Sequence, residues 1–322
     1  MIIVCGETLF DMFVANNSDP ASSDRSVELQ AHAGGSPFNV AVGLARLGQR
    51  VALSSELGED LLGHRLLHLL QQEGVDTSLL RQSQRPTAIA LVDCHDATAP
   101  SYSFYGLRDR AFSPGRDYWR RAEHRQQVSA IHVGSLALLP VAGEDDLLHV
   151  IAHAPDNALI ALDPNVRLAV EPDAAIWRTQ LDRFAAYAHL IKASEEDLHS
   201  LYGPEADLDR IAQAWFSERC RLAVVTSGAA GATFYTAGGN KFHCPALPVD
   251  VADSIGAGDS FQAALLCWLV DHERIAPQAL AGLSPQELRA LAGFATQAAA
   301  ATCSRRGAAL PYRAELLRDD RA

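Results

Sequence analysis

The chain has 322 residues, of which 48% are hydrophobic and 20% are charged; this is close to the average for a globular protein and allows a sizeable core. The formal net charge of -12 disfavours nucleic acid and anionic membranes as partners, because phosphate backbones are bound mainly by Lys and Arg. No apolar run is long enough to span a bilayer, and the cysteines are widely spaced without a C-x-x-C pattern. We therefore expect a cytoplasmic protein with reduced cysteines, no nucleic-acid partner and no membrane partner.

Short β-rich runs alternate with helical patterns along the chain. The predicted strands are Ile2 to Cys5, Val51 to Ser54, Ala130 to Val133, Leu159 to Leu162, Leu190 to Lys192 and Leu222 to Thr226. Ser36-Pro37 opens a helix that Gly48 closes, and Ser284-Pro285-Gln286-Glu287 forms a capping box. This alternation predicts an α/β fold with a parallel sheet that carries helices on both faces.

Two regions interrupt the alternation, at about residues 9–33 and 86–110. The second contains the strand-like runs Thr87 to Val92 and Tyr102 to Tyr105. We predict that both regions form a small separate β-sheet, inserted in a single domain that spans residues 1–322. Such a sheet would be a lid over a site at the carboxyl ends of the main strands.

The turn Asp253-Ser254-Ile255-Gly256-Ala257-Gly258-Asp259 precedes a run whose apolar residues recur at helical spacing. The free amides of such a helix start attract an anion, and the glycines let a phosphate approach the backbone. Asp259 would repel that phosphate, and proton abstraction from an attacking hydroxyl is the simplest reason for a carboxylate there. An ordinary capped helix after a glycine turn is the structural alternative.

Two further segments could hold a ligand rich in hydroxyl groups. Gly34-Gly35 precedes a helix whose first turn contains Asn39, and Glu7 and Asp11 follow the first strand. The alternatives are a tight lead-in to a helix and carboxylates in a solvated loop.

Arg167 closes the segment Asp163-Pro164-Asn165-Val166-Arg167, which follows a strand, and it could pair with phosphate or form a surface salt bridge. The run Thr226 to Gly231 is similar to a phosphate-cradling loop but lacks the Walker A lysine. A strand from Ala232 to Thr236 follows too soon for a crossover helix, so we predict a hairpin rather than a dinucleotide site.

His64 and His68 have the i, i+4 spacing of a metal pair. They lie opposite the leucines of their helix, and no Glu completes an H-E-x-x-H pattern, so the sequence favours a solvated helix face over a metal site.

Taken together, several of these segments resemble the ribokinase/PfkB carbohydrate kinase family over nearly the whole chain. The resemblance is carried by Gly34-Gly35 with Asn39, the helix end Leu44-Ala45-Arg46-Leu47-Gly48, Asp163 to Arg167, Thr226 to Gly231 and Asp253 to Asp259. Gly6-Glu7 near the N-terminus and the Asp-Pro-Asn-Val-Arg run are most similar to bacterial fructokinases.

The resemblance implies a ribokinase-like three-layer α/β/α sandwich with a mainly parallel central sheet and a small β-sheet lid. It also implies an ATP-dependent sugar kinase that transfers the γ-phosphoryl group of Mg-ATP to a primary hydroxyl of fructose. By this similarity Asp259 is the base, and the amides of Gly256, Ala257 and Gly258 stabilise the transferred group.

The resemblance further implies a set of binding residues. The sugar side would contain Asp11, Gly34, Gly35, Asn39, Tyr105, Arg108 and Arg167. The nucleotide side would contain Lys192, Thr226, Gly228, Gly231, Gly256, Gly258 and Gly307, with the segment Thr302 to Gly307 near adenine. A monovalent cation such as K+ would bind near Asp253, Ile255, Thr302 and Gly307.

One departure concerns magnesium. Many relatives carry an Asn-x-x-Glu motif linked to magnesium and phosphate, whereas the matching place here reads Ser194-Glu195-Glu196-Asp197. Mg2+ is expected from ATP chemistry, but the motif leaves its ligands open.

Several alternatives remain at this stage. The substrate could be 2-keto-3-deoxygluconate, another sugar or a nucleoside, and a non-catalytic sugar or nucleotide sensor could share the fold. An NAD-dependent oxidoreductase would fit the α/β pattern but lacks the dinucleotide fingerprint after the first strand. We also expect a homodimer, because the exposed face of a small inserted sheet needs cover.

Overall fold

The computed structural model describes residues 1–14, 27–93, 101–107, 110, 112–140, 146–216 and 218–316. In chain order the strands are β1 (Ile2–Cys5), β2 (Leu9–Val14), β3 (Leu29–Gly34), β4 (Val51–Gly58), β5 (Leu80–Ser83), β6 (Ile89–Asp93), β7 (Ser101–Tyr105), β8 (Ala130–Gly134), β9 (Leu159–Asp163), β10 (Leu190–Ser194), β11 (Leu222–Thr226), β12 (Ala232–Thr236) and β13 (Lys241–Cys244). The helices are α1 (Ser36–Arg46), α2 (Leu61–Gln72), α3 (Ala122–Gln127), α4 (Asp146–Ala152), α5 (Ala174–Ala185), α6 (Glu195–Tyr202), α7 (Leu208–Ala214), α8 (Ala257–Asp271), α9 (Pro277–Ala281), α10 (Pro285–Cys303) and α11 (Arg313–Leu316).

The central sheet has nine strands in the order β13-β12-β11-β10-β9-β8-β1-β4-β5. Every pairing from β11 to β5 is parallel, whereas β12 and β13 are antiparallel additions at one edge. The inner strands are buried along their whole length, as expected for a parallel sheet covered on both faces. The predicted α/β fold is confirmed, and the hairpin predicted after Thr226 is β11–β12.

Two hydrophobic clusters cover the two faces of this sheet and produce the three layers. One cluster contains the buried residues of α1, α2, α8 and α10, and the other contains those of α5 and α6. Helices α1 and α8 pack closely at Gly43, where a Cβ would lie 2.9 Å from the Cβ of Ala263. This close approach fixes the relative position of the two helices that carry the candidate site.

A second sheet has four strands in the order β3-β2-β6-β7. Strand β2 pairs antiparallel with β3 and parallel with β6, and β7 completes the sheet antiparallel to β6. The small separate sheet predicted from the two interrupting regions is therefore present, while its action as a lid stays a prediction. None of the described helices is long and apolar enough to cross a membrane.

Candidate active site

The first turn of α8 lies at the carboxyl edge of the central sheet. Gly256 precedes it with φ +78°, a left-handed conformation that favours glycine, and a Cβ there would lie 2.8 Å from the Cβ of Ala308. The amide of Ala257 donates to the carbonyl of Ser254 at 3.2 Å, so one of the three predicted phosphate donors already has an acceptor. The amides of the first helical turn have no acceptor within the helix, which keeps this turn suitable for an anion.

Asp259 is 9% exposed and is held by two side chains of α1. The Ser36 hydroxyl donates to Oδ1 at 2.6 Å, and the Asn39 amide donates to Oδ2 at 2.8 Å. The structure thus places the sugar-binding candidate Asn39 directly on the proposed base. Ser36 was not singled out from the sequence; its position in the first turn of α1, beside Asn39, was the available signal.

Lys192 lies beneath this turn and is 4% exposed. Its Nζ donates to Oδ2 of Asp163 at 2.6 Å and lies 3.2 Å from the place where a Cβ on Gly258 would stand. Burial alone would lower the pKa of Lys192, but the charges of Asp163 first, and then Asp259 and Asp197, outweigh this and keep the pKa above its usual value. A buried ammonium therefore faces the region of the predicted phosphate site.

Asp11 on β2 belongs to the small sheet and lies near Arg167 and Asp259. We call the space between these three side chains the cleft. A Cβ on Gly34 would overlap its carboxylate, which explains a glycine at that position. Burial raises the pKa of Asp11 to about 6; Arg167 opposes the shift and Asp259 adds to it. Asp11, Arg167 and Asp259 are therefore close enough for their charges to interact, and they belong to one site.

Glu7 and Gly35 lie next to each other behind this cleft. Gly35 has φ +100°, and a Cβ there would lie 2.8 Å from the Glu7 carbonyl oxygen. Glu7 is buried, and burial raises its pKa to about 7, against the opposing effects of the Ser135 hydroxyl and Arg167. The guanidinium of Arg167 donates to its neighbour's carbonyl, the Val166 oxygen, at 3.0 Å.

The predicted nucleotide loop connects β11 and β12. Gly228 and Gly231 have φ of +52° and +101°, and the amide of Ser227 donates to the Gly231 carbonyl at 2.7 Å. The hydroxyl of Thr226 donates to the Ala193 carbonyl at 3.5 Å. Strand β11 is the neighbour of β10, which carries Lys192, so this loop lies beside Lys192 at the same edge of the sheet. The loop is therefore in a position to extend a nucleotide site that begins at α8.

Asp253 joins three of the positions named for a monovalent cation. Its Oδ1 accepts the amide of Ile255 at 3.0 Å, and its Oδ2 accepts the amide of Gly307 at 2.9 Å. The Thr302 carbonyl already accepts the amide of Arg305 at 3.1 Å. Gly307 and Ala308 pack behind residues 253–259, which we call the phosphate turn. We call residues 304–312, which contain them, the C-terminal strap.

The place that matches Asn-x-x-Glu holds a helix cap. Oδ1 of Asp197 accepts the Val166 amide at 2.7 Å, and its Oδ2 accepts the Ser194 hydroxyl at 2.7 Å. Both oxygens are thus bonded to protein donors and tie the start of α6 to the Asp163–Arg167 segment. Within the described parts of the chain, no three His, Cys, Asp or Glu residues form a metal-binding group. His64 and His68 are exposed on α2.

One sugar-side candidate, Tyr105, is not brought to the cleft. Tyr105 is 55% exposed on the edge strand β7, and its register through Ile89 and Phe10 places it on the face of the small sheet opposite Asp11. Arg108 lies outside the described residues.

A family model for the pfkB family carbohydrate kinases matches residues 1–315 of the chain. The chain belongs to this family. A pfkB relative from Rhizobium leguminosarum bv. trifolii, named as a fructokinase, is 31% identical over 291 residues, which cover 90% of this chain and 86% of that protein.

Two solved structures have the same fold over 98% of this chain and 96% of their own chains. The fructokinase from Xylella fastidiosa with bound ATP is 27% identical, with a TM-score of 0.81. A double mutant of the fructokinase from Vibrio cholerae O395, bound to fructose, ADP and potassium ion, is 25% identical, with a TM-score of 0.77. This pfkB chain therefore has a carbohydrate kinase fold with a nucleotide-dependent phosphotransferase as its family activity.

Proposed function

We propose that this chain is an ATP-dependent fructokinase that converts D-fructose to fructose 6-phosphate. The observation that carries the proposal is the setting of Asp259, a buried carboxylate held by Ser36 and Asn39 in the first turn of α8. A carboxylate at an anion-binding turn suits the removal of a proton from an attacking hydroxyl. The fructokinases among its relatives support fructose as the acceptor.

In the proposed reaction, the primary hydroxyl of fructose gives its proton to Asp259 while its oxygen attacks the γ-phosphorus of ATP. The new oxygen–phosphorus bond replaces the bond to the β,γ-bridging oxygen, and ADP leaves. The amides of Gly256 and Gly258 and the ammonium of Lys192 stabilise the negative charge on the transferred group. Asp11 and Arg167 orient the sugar.

Asp259 needs no large rearrangement to act as a base. The hydrogen bonds from Ser36 and Asn39 already hold its carboxylate in a fixed orientation. Proximity and orientation of this kind supply a large part of the rate enhancement in phosphoryl transfer. A non-catalytic sensor would have no use for a base fixed in this way.

Mg2+ is proposed as the companion of ATP, where it neutralises charge on the β- and γ-phosphates. Magnesium in kinases is bound through substrate phosphates, water and one or two carboxylates rather than a protein cage. Oδ1 of Asp163 fits this requirement, since it is buried and has no hydrogen-bond partner among the described residues. Asp197 fits it less well, because both of its oxygens are already bonded.

We also propose a K+ site at Asp253, Ile255, Thr302 and Gly307, supported by the clustering of three of these residues and by the potassium ion of the Vibrio fructokinase. Kinetics in K+, Na+ and a bulky organic cation at constant ionic strength test it. Equal rates in all three would argue against the site.

A substrate panel tests the function. ADP release is measured with ATP and fructose, ribose, 2-keto-3-deoxygluconate or nucleosides, with and without Mg2+. Turnover of fructose with the highest kcat/KM is expected; turnover confined to another acceptor would refute the choice of sugar, and no turnover with any acceptor would favour a sensor.

We also propose a homodimer and a cytoplasmic location. The small sheet exposes Leu29 and Tyr105, which a second subunit could cover. Light scattering is expected to give twice the chain mass, and a monomer mass would contradict the dimer.

A further inference from the structure

The side chain of His32 lies on the same face of the small sheet as Asp11. Strands β2 and β3 are antiparallel, and Asp11 stands directly opposite His32 in their register. Side chains of directly opposed residues in an antiparallel pair project from the same face. His32 is exposed, so its imidazole is accessible from the cleft that Asp11 faces.

A ring contact and the C-terminal strap define where the imidazole points. Phe13 packs edge-on against His32, with ring centroids 5.4 Å apart and an interplanar angle of 87°. Nδ1 of His32 lies 4.0 Å from the place where a Cβ on Gly307 would stand. The imidazole therefore reaches from the sugar side of the cleft to the strap.

The strap position next to His32 is linked to the phosphate turn at two points. The amide of Gly307 donates to Asp253 at 2.9 Å, and the following residue, Ala308, packs against Gly256. A group that contacts Gly307 is thus adjacent to the backbone that would receive the nucleotide phosphates.

We propose that His32 couples the binding of the sugar to the binding of the nucleotide, an inference that rests on the proposed kinase function. A sugar held by Asp11 fixes the paired strands β2 and β3, and with them the imidazole beside Gly307. Since an imidazole both donates and accepts hydrogen bonds, it can meet the strap backbone or a phosphate oxygen. The two strands are then fixed once for two ligands, so each ligand binds more tightly when the other is present.

The coupling is measured directly by calorimetry. Fructose is titrated into the full chain alone and into the chain saturated with adenylyl imidodiphosphate and Mg2+. The wild type is expected to bind fructose at least about 5-fold more tightly with the nucleotide, and the nucleotide must show the same factor in the reciprocal titration. His32→Ala is expected to reduce the factor to about 1, because the bridge to the strap is lost.

Two further variants separate coupling from folding. Gln30→Ala changes the same face of the same strand two residues away from His32, and it should keep the wild-type factor. Phe13→Leu keeps the imidazole but removes its edge contact, and it should give an intermediate factor. Melting temperatures identify any variant whose loss reflects unfolding.

The result that overturns the inference is an equal coupling factor in the wild type and in His32→Ala, or a wild type that shows no coupling. The substrate panel distinguishes this from failure of the proposed function. If the wild type phosphorylates only another sugar, fructose is wrong as the substrate, and the same titrations with that sugar still decide the role of His32.

Discussion

Replacement of Asp259 by Asn is the sharpest test of the proposed chemistry. The substitution keeps the size and the position of the side chain but removes its ability to accept a proton. It also changes the contacts with α1, because the new amide has only one acceptor oxygen for two donors, the Ser36 hydroxyl and the Asn39 amide.

The two effects have different magnitudes. Loss of a general base lowers kcat by about 10²- to 10⁴-fold, which corresponds to about 2.7 to 5.4 kcal/mol of activation free energy. Loss of a hydrogen bond to a charged group lowers the free energy of unfolding by about 1.5 to 3 kcal/mol. We therefore expect a folded but nearly inactive protein whose unfolding midpoint is lower than that of the wild type.

The assay is coupled ADP release at saturating fructose and Mg-ATP, with denaturant unfolding in parallel. Ser36→Ala is the matched control, because it removes one contact of Asp259 and leaves the base; its loss of kcat should stay well below 100-fold. A folded Asp259→Asn protein that keeps more than about a tenth of the wild-type kcat would refute the role of Asp259 as base.

The remaining predictions concern the residues near the proposed phosphate site and the two buried carboxyl groups, Asp11 and Glu7. Lys192→Met is expected to lower kcat by about 10²- to 10³-fold, since it removes a charge aimed at the transferred group, and an unchanged kcat would exclude Lys192 from the reaction. Gly256→Ala forces a left-handed conformation and a contact with Ala308, so kcat should fall while the Kd of fructose from calorimetry stays near wild type. The pKa of Asp11 is raised to about 6 by burial, so kcat/KM for fructose should fall as pH drops through about 6, and Asp11→Asn should lower the plateau and remove this limb. The raised pKa means that ionisation of Asp11 is less favourable in the folded protein than in the unfolded chain. The contribution of Asp11 to the free energy of unfolding therefore declines as pH rises from 3.8 to about 6. Calorimetric melts of the wild type and of Asp11→Asn across this pH range measure the decline. Burial raises the pKa of Glu7 to about 7, close to that of Asp11. The same pH profile measured on Glu7→Gln distinguishes the contribution of Glu7 from that of Asp11.

The elements that could be predicted from the sequence are those with local signals. Buried strands such as β1 and β11 are nearly continuous apolar runs, and the capping box at Ser284 is encoded within four residues. The strands that were missed, β5 and β13, lie at the sheet edges and have only four residues each; β5 is largely polar, and the polar–apolar alternation of β13 is too short to mark a strand by itself. Their pairing depends on the neighbouring strand rather than on their own pattern.

The candidate site was predictable in its parts but not in its contacts. The turn before Asp259 is recognisable because glycines and a carboxylate precede an apolar helix. The bond between Asn39 and Asp259 joins residues 220 positions apart, and no local pattern reports such a contact. In the same way, the partners of Lys192 and Asp197 depend on which strands and loops the fold makes adjacent.

The separation of 223 positions between Ser36 and Asp259 has a consequence for synthesis of the chain. The hairpin with Asp11 and the start of α1 leave the ribosome early, whereas the base and the phosphate turn belong to the last quarter of the sequence. A nascent or truncated chain that ends before α8 contains Asp11 and Lys192 but lacks the proposed base and the turn that would hold the transferred phosphoryl group. Phosphoryl transfer through Asp259 is therefore expected only when translation is nearly complete.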